Sequence, residues 1–392
     1  MKLERLDSVT TIIMGQAPPG ESYNTDSDGW PLIAGAGDFN QGSPAPKKYT
    51  TKPSKLSRSG DILLGIRASI GDKVLADKEY CIGRGVASLR PNDCIDIRYL
   101  WNWLGFSSNE LAAKGKGATF KQVNSQDIAE MMIPVPPIAQ QRRIAEVLDH
   151  VDALREKRRK SIALLDDLAQ SIFLDMFGDP VANSRGWDIG TVGHFVEKFE
   201  SGKSLAPGQD GSESAFRVLK VSAVTSGTFY PTESKPLPAE YRPPDSHIVR
   251  PGDLIFCRAN GNPDLIGVTT FVDQVEPRYA LPDKLWRFVW NESSQVEPRF
   301  VHGLFSQPGF REQIRRSSTG NGVKNISQYK VLSQPTILPP RQLQRTFART
   351  VAAIDANKLR MVGQLDALDT LFSSLQSRAF RGELWQDDLK DL

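Results

Sequence analysis

At 392 residues, 39% hydrophobic and 24% charged, the chain has an ordinary globular composition, which argues against disordered and membrane classes, and its length suits two or three domains. A net charge of +3 permits a nucleic-acid partner without requiring one. Three cysteines without a Cys-x-x-Cys pair argue against a disulfide framework or zinc ribbon, so free, buried thiols in a reducing compartment are expected. The opening "MKLERLDSVTTIIMG" carries Glu4 and Asp7 where a signal peptide would be apolar, and no long apolar run follows. A cytoplasmic protein with no membrane partner is expected.

From the N-terminus the chain reads as short β-rich runs, "GDILLGI" from Gly60 and "GVASLRP" from Gly85 among them, separated by Gly, Pro, Asn and Asp. Pro136-Pro137 ends this region and opens a stretch free of proline up to Pro180. Proline is tolerated at a helix entrance and disruptive inside one, and Gly178 marks an exit. One long helix over 137–178 follows, about 60 Å at 1.5 Å per residue. Ile144, Val151, Leu165 and Ile172 recur at sevens or multiples of seven, with Val147, Leu148, Leu154, Ile162 and Leu168 between them, a heptad-like seam. The run "REKRRK" from Arg155 reads as a solvated face or a docking patch.

A second β-rich region includes "FRVLKVSAV" from Phe216, "GDLIFC" from Gly252 and "GVTTFV" from Gly267. Pro339-Pro340 closes it and opens a second helix, 339–381, with Phe347, Ile354, Met361, Leu368 and Leu375 in the seam row, Val351, Leu365, Leu371 and Phe372 beside them, and Gly382 at the exit. An offset of 203 residues pairs Pro136 with Pro339, Lys121 with Lys324, Asp152 with Asp355, Leu168 with Leu371 and Phe177 with Phe380. Upstream, "SGDILLGIRASIGD" from Ser59 faces "PGDLIFCRANGNPD" from Pro251. The expectation is an α+β fold built as a pseudo-two-fold tandem repeat. Two β-rich domains (1–136 and 179–338) alternate with two long antiparallel, coiled-coil-like helices (137–178 and 339–381), and a tail (382–392) follows.

The bracket "IPVPPIAQQRRIAEVLD", the helix end "LDDLAQSIFLDMFGD", the second copy "ILPPRQLQRTFA" and the unit openings "TTIIMGQAPP" and "VEKFESGKSLAP" resemble the specificity subunit of type I restriction-modification enzymes. The likeness runs over nearly the whole chain; "PPRQLQR" departs from "PPIAQQR" and puts equal docking at both ends in question. The resemblance implies that the β-rich domains are target-recognition domains, each reading half of a split site in double-stranded DNA. It implies that the helices set the spacing and dock two methyltransferase subunits, through which restriction subunits join. It further implies a chain with no catalytic residue, no metal and no cofactor of its own, the partners using S-adenosylmethionine, ATP and magnesium. A DNA reader for another defence system and a coiled-coil scaffold that ignores DNA are the alternatives.

Base edges are read by Arg or Lys at guanine, Asn or Gln at adenine, and Ser or Thr adaptably, from loops. The candidates in the first domain are Arg67, Ser69 and Lys73 in "IRASIGDK", and Lys114, Lys116, Thr119, Lys121 and Gln122 in "AKGKGATFKQVN". In the second they are Arg258, Asn260 and Asn262 in "CRANGN", and Arg315, Arg316, Thr319, Asn321, Lys324 and Asn325 in "RRSSTGNGVKNIS", with Lys203 and Lys220 in reserve. Any one of them reads equally well as a solvated loop side chain. Trp101, Trp103, Trp286 and Trp290 lie in apolar stretches and read as core. Gly35-Ala36-Gly37 in "LIAGAGDF" imitates a cofactor loop, but no βαβ unit follows it and "GNPDLIG" lacks a methyltransferase Asn-Pro-Pro-aromatic motif. No phosphate-binding Gly-x4-Gly-Lys loop is present, and His150, His194, His247 and His302 are scattered.

Overall fold

The structure, a computed structural model, describes residues 2–40, 42–117, 121–205, 215–294, 296–320 and 322–384. It comprises two compact units, Met1–Arg159 with Gly363–Leu392 and Lys160–Val362. Each long helix contributes to both.

The first unit is built on a four-stranded antiparallel sheet in the order Thr10–Met14, Val86–Pro91, Ile62–Gly65, Lys73–Leu75. The inner strand Ile62–Gly65 is buried at every position and carries no polar side chain, because both faces are covered. Ile62 and Leu64 pack with Tyr99, Leu100 and Trp103 of the helix Ile97–Phe106. Leu63, pointing the other way, joins Ile33, Tyr80 and Ile82. Ile33 and Ile82 belong to a second four-stranded sheet.

The second unit repeats the strand order with Val196–Ser201, Leu285–Trp290, Leu254–Cys257 and Thr269–Phe271. Leu254 and Phe256 face the helix side with Phe300 and Phe305, and Ile255 faces Val224 and Val249.

The Gly-Asp turns are structural. Gly60 and Gly252 take positive φ values of +87° and +91°, which glycine adopts without strain. The following aspartates each accept a backbone N–H three residues upstream, from Arg58 and Arg250, at 2.8 Å. Asp61 also accepts from Arg90 Nη2 (2.7 Å) and Ser88 Oγ (2.7 Å). Burial raises the Asp61 pKa, but the Arg90 guanidinium and these donors outweigh it and hold the carboxyl below its ordinary value.

The long helices span Ile138–Phe177 and Arg341–Arg381. A buried glutamine ties down each start. Gln141 accepts from the Asp96 N–H (2.8 Å) and donates to Cys94 O (3.0 Å) and Pro136 O (2.8 Å). Gln344 accepts from the Glu297 N–H (3.2 Å) and donates to Pro339 O (2.8 Å). Gly178 and Gly382, with φ of +74° and +80°, follow the last helical residues. In the first unit Ile144 and Leu148 share a core with Phe380 and Leu384, and Arg155 Nε meets Asp369 at 2.5 Å. In the second, Phe173 and Phe177 pack on Phe347, and Lys358 Nζ meets Asp166 at 2.6 Å.

Two expectations differ from what is found. Leu154, Leu168 and Leu371, read as seam residues, are 39%, 45% and 46% exposed, because a single neighbouring helix covers a narrower stripe than a bundle does. Cys81 and Cys257 are buried thiols, but Cys94 is exposed in the turn whose carbonyl binds Gln141. Trp103 and Trp286 are buried, and Trp101 and Trp290 pack against the cores. Among the described residues no helix is long and apolar enough to cross a membrane, and no cluster of side chains suits a metal.

The edge strand and the following helix are tied differently in the two units. In the first, Lys73 Nζ lies 4.5 Å from the Trp101 ring centroid, and burial pushes its pKa down against the raising pull of Asp152 and Asp72. In the second, Thr269 Oγ1 and His302 Nδ1 share a hydrogen bond of 2.9 Å. Burial, with Arg299 and Lys358 nearby, lowers the His302 pKa to about 4, while Asp166 and Asp355 line the same cavity. An unfolded histidine titrates near about 6.5, so this stability is complete above that pH and is lost as pH falls through about 4. The expected loss by pH 4 is about 3 kcal/mol. Urea unfolding of wild type and His302→Gln between those pH values checks it, the wild type losing more stability.

Candidate nucleic-acid interface

In the first unit the sheet strand Ile62–Gly65 runs into Ile66, whose N–H donates to Gly85 O (3.0 Å) and whose carbonyl accepts from the Val123 N–H (3.0 Å). Arg67 then bridges to Gln122, and Ala68, in the left-handed region at φ 62°, donates its N–H to Lys121 O (3.2 Å). Lys116 and Gln122 exchange both main-chain bonds, at 3.0 and 2.9 Å. The two loops singled out by composition therefore share one ladder. Arg67, Ser69, Lys116, Lys121 and Gln122 are exposed beside it.

The second unit uses the same connections with other side chains. Arg258 N–H donates to Lys284 O (3.1 Å), and Ile326 N–H donates to Arg258 O (3.1 Å). Ala259–Asn260 pairs with Lys324–Asn325. Thr319 and Asn325 exchange bonds at 2.8 and 2.9 Å. Thr319 and Asn325 are exposed, and Asn260 and Lys324 are half-buried.

Other candidates are placed differently. Arg258 lies over Trp286 (5.3 Å), with a buried Nε that has no hydrogen-bond partner. Asn262 accepts the Asp264 N–H (3.0 Å), and Asn260 Oδ1 accepts the Asn262 N–H (2.9 Å), so both brace their own turn. Arg315 (2.6 Å) and Arg316 (2.7 Å) share Glu312, and their hydrogen bonds hold its carboxyl down to about 2. Lys114 follows the short helix Ser108–Ala113, 4.0 Å from Glu110. Lys220 is 3.4 Å from Glu233, and Lys203 is exposed after the strand Val196–Ser201. Lys73 lies on Trp101 as described. Thr119 and Asn321 lie outside the described residues.

A cleft of about 430 Å³ opens beside the first ladder, lined by Gly35, Gly37, Arg67, Ser69 and Arg84 among others. Gly35-Ala36-Gly37 thus forms one wall, and Asp38 Oδ2 pins it by accepting the Ala34 N–H at 2.8 Å. Arg84 was not among the sequence candidates; the signal available was the tripeptide Gly83-Arg84-Gly85.

Comparison with known proteins agrees with this architecture. Residues 1–164 match the family model of the type I restriction modification DNA specificity domain. The MjaX specificity subunit of Methanocaldococcus jannaschii is 38% identical over 150 residues, covering 38% of this chain and 35% of that protein, so the chain spans about a third of that relative. The EcoKI specificity subunit of Escherichia coli is 26% identical over 99% of this chain and 90% of its own length. A crystal structure of a type I restriction-modification S subunit from M. genitalium superposes with a TM-score of 0.57 at 16% identity, over 97% of this chain and 96% of that one. Over nearly its whole length the chain is similar to type I restriction-modification specificity subunits, and its residues 1–164 match the DNA specificity domain of that family.

Proposed function

We propose that this chain is the non-catalytic DNA reader of a type I restriction-modification system, recognising a bipartite, asymmetric duplex site with one half read by each unit. The observation that carries the reading is the pair of equivalent ladders. Each brings two polar loops together, but Arg67, Lys116, Lys121 and Gln122 occupy one and Asn260, Thr319, Lys324 and Asn325 the other. Different donors and acceptors on one scaffold suit two different half-sites, since base contacts specify sequence. The tandem repeat in the sequence and the continuity of each long helix through both units support a role for the helices in fixing the spacer.

On this reading two methyltransferase subunits dock on the chain and restriction subunits join through them. S-adenosylmethionine, ATP and magnesium are used by those partners, and none is held here.

Mapping methylated adenines across the host genome with and without the gene tests the proposal. One split, asymmetric motif is expected to lose its mark in the deletion strain. No change in a strain that expresses its methyltransferase would reject the reading, and the absence of salt-sensitive duplex binding would then favour a scaffold.

A further inference from the structure

We infer that the cleft beside Arg84 holds one backbone phosphate of a DNA strand and so positions the first unit on the duplex, separately from the residues that read bases. The inference rests on the DNA-reading function proposed above and adds a site to it.

A duplex offers concave grooves and convex sugar-phosphate ridges. Base edges lie in the grooves and are reached by protruding elements such as a two-stranded ribbon. Lys116 and Gln122, bonded main chain to main chain and exposed, stand on the Arg67 side of the cleft. The neighbouring cleft, with glycine in its walls, is concave and matches a ridge.

Gly83 N–H donates to Ile33 O (2.8 Å) and Gly85 N–H donates to Ala34 O (3.0 Å), so the backbone on each side of Arg84 is fixed. A Cβ at Gly83 or Gly85 would run into the Ala34 and Gly35 backbone, so the wall closes only with glycine there. Between these fixed points the Arg84 side chain projects to solvent.

Among the described residues no carboxylate pairs with Arg84, whereas Arg90, Arg315 and Arg316 each have one. Engaging Arg84 breaks no internal ion pair, and a guanidinium matches phosphate oxygens in a planar, two-pronged geometry. The second unit lacks the arrangement. Because Lys284 occupies the ladder position of Gly85, Asp283 stands where Arg84 does, and it accepts a hydrogen bond from Ser204 Oγ at 2.5 Å. A carboxylate there repels phosphate, so the contact belongs to the first unit alone.

The test uses the full chain assembled with its methyltransferase subunits, binding a duplex with its own site and an unrelated duplex between about 50 and 200 mM salt. For Arg84→Ala, affinity is expected to fall about five- to tenfold on both duplexes alike, and the slope of log affinity against log salt by about one. Arg84→Lys should retain most of the binding, and the methylated motif should be unchanged in both variants. Thermal melting of each variant separates a folding defect from a lost contact, and Arg84→Glu, equally exposed, should weaken binding further.

Unchanged affinity and slope in Arg84→Ala would overturn the inference, as would an altered base preference at one position of a half-site, which marks a base contact. If the wild-type complex itself shows no salt-dependent DNA binding, the DNA-reading function fails as well. Wild-type binding with an indifferent Arg84 removes this site only.

Discussion

Removing seven residues from each long helix, 157–163 and 360–366, is expected to shorten the unread spacer of the recognised site by about three base pairs while both half-sites stay the same. Seven residues span about 10.5 Å of helix, and one base pair occupies about 3.4 Å of duplex. Seven is also close to two whole turns, so the apolar row rotates by only about 20° across the cut. The cuts lie at the boundary between the units and spare Gln141, Phe173, Phe347 and the Lys358–Asp166 pair. Losing three base pairs turns one half-site by about 100° around the duplex axis at 10 to 10.5 base pairs per turn. The variant should therefore bind more weakly than the parent at every spacer, and the preferred spacer is the informative result. Mapping its methylated motif in the host supplies it. If the spacer is unchanged, the helices do not set it.

Much of the fold was legible because the signals are local. Proline at the helix entrances and glycine at the exits act through their own backbones, so the long helices fall where the sequence places them. The two loops of each unit were also legible, since glycine and polar residues between buried strands mark exposed connections, and the structure joins them through Arg67 with Gln122 and Asn260 with Lys324.

Which side chains stay available was not legible. Lys73 and Arg258 have the residue types that read guanine, yet each turns onto a tryptophan that is close only after folding. Glu312 takes up both Arg315 and Arg316, three and four residues away, a pairing that a helix creates and a loop would not. Nothing local marks Arg84, because its neighbours in the cleft come from strand connections around residues 35 and 67. The chain's end was similarly hidden. Leu384, assigned to a tail, is buried with Phe380 in the first unit's core, a contact spanning most of the sequence.

Phe347→Ala is expected to cost about 3 to 5 kcal/mol in the second unit. Its ring is 1% exposed and meets Phe173 and Phe177 edge-on, each at 5.5 Å between centroids, while Phe173 stacks on Phe300 at 5.8 Å. These four rings join both long helices to the helix Pro298–Ser306. The truncation loses transfer energy and leaves a cavity that rings held from three helices cannot close. Nor can the facing wall move in, because Gly303 already lets Phe347 and Phe173 approach so closely that a Cβ there would clash with both. The loss is a large share of the roughly 5 to 15 kcal/mol that holds a typical domain together. Urea unfolding followed by the fluorescence of Trp286 and Trp290, which lie in or against the same core, measures it. Leu371→Ala, at a 46% exposed position, should change stability by less than about 0.5 kcal/mol. If the two variants lose similar stability, the aromatic cluster does not anchor the helices, and any loss of half-site reading in Phe347→Ala must arise elsewhere.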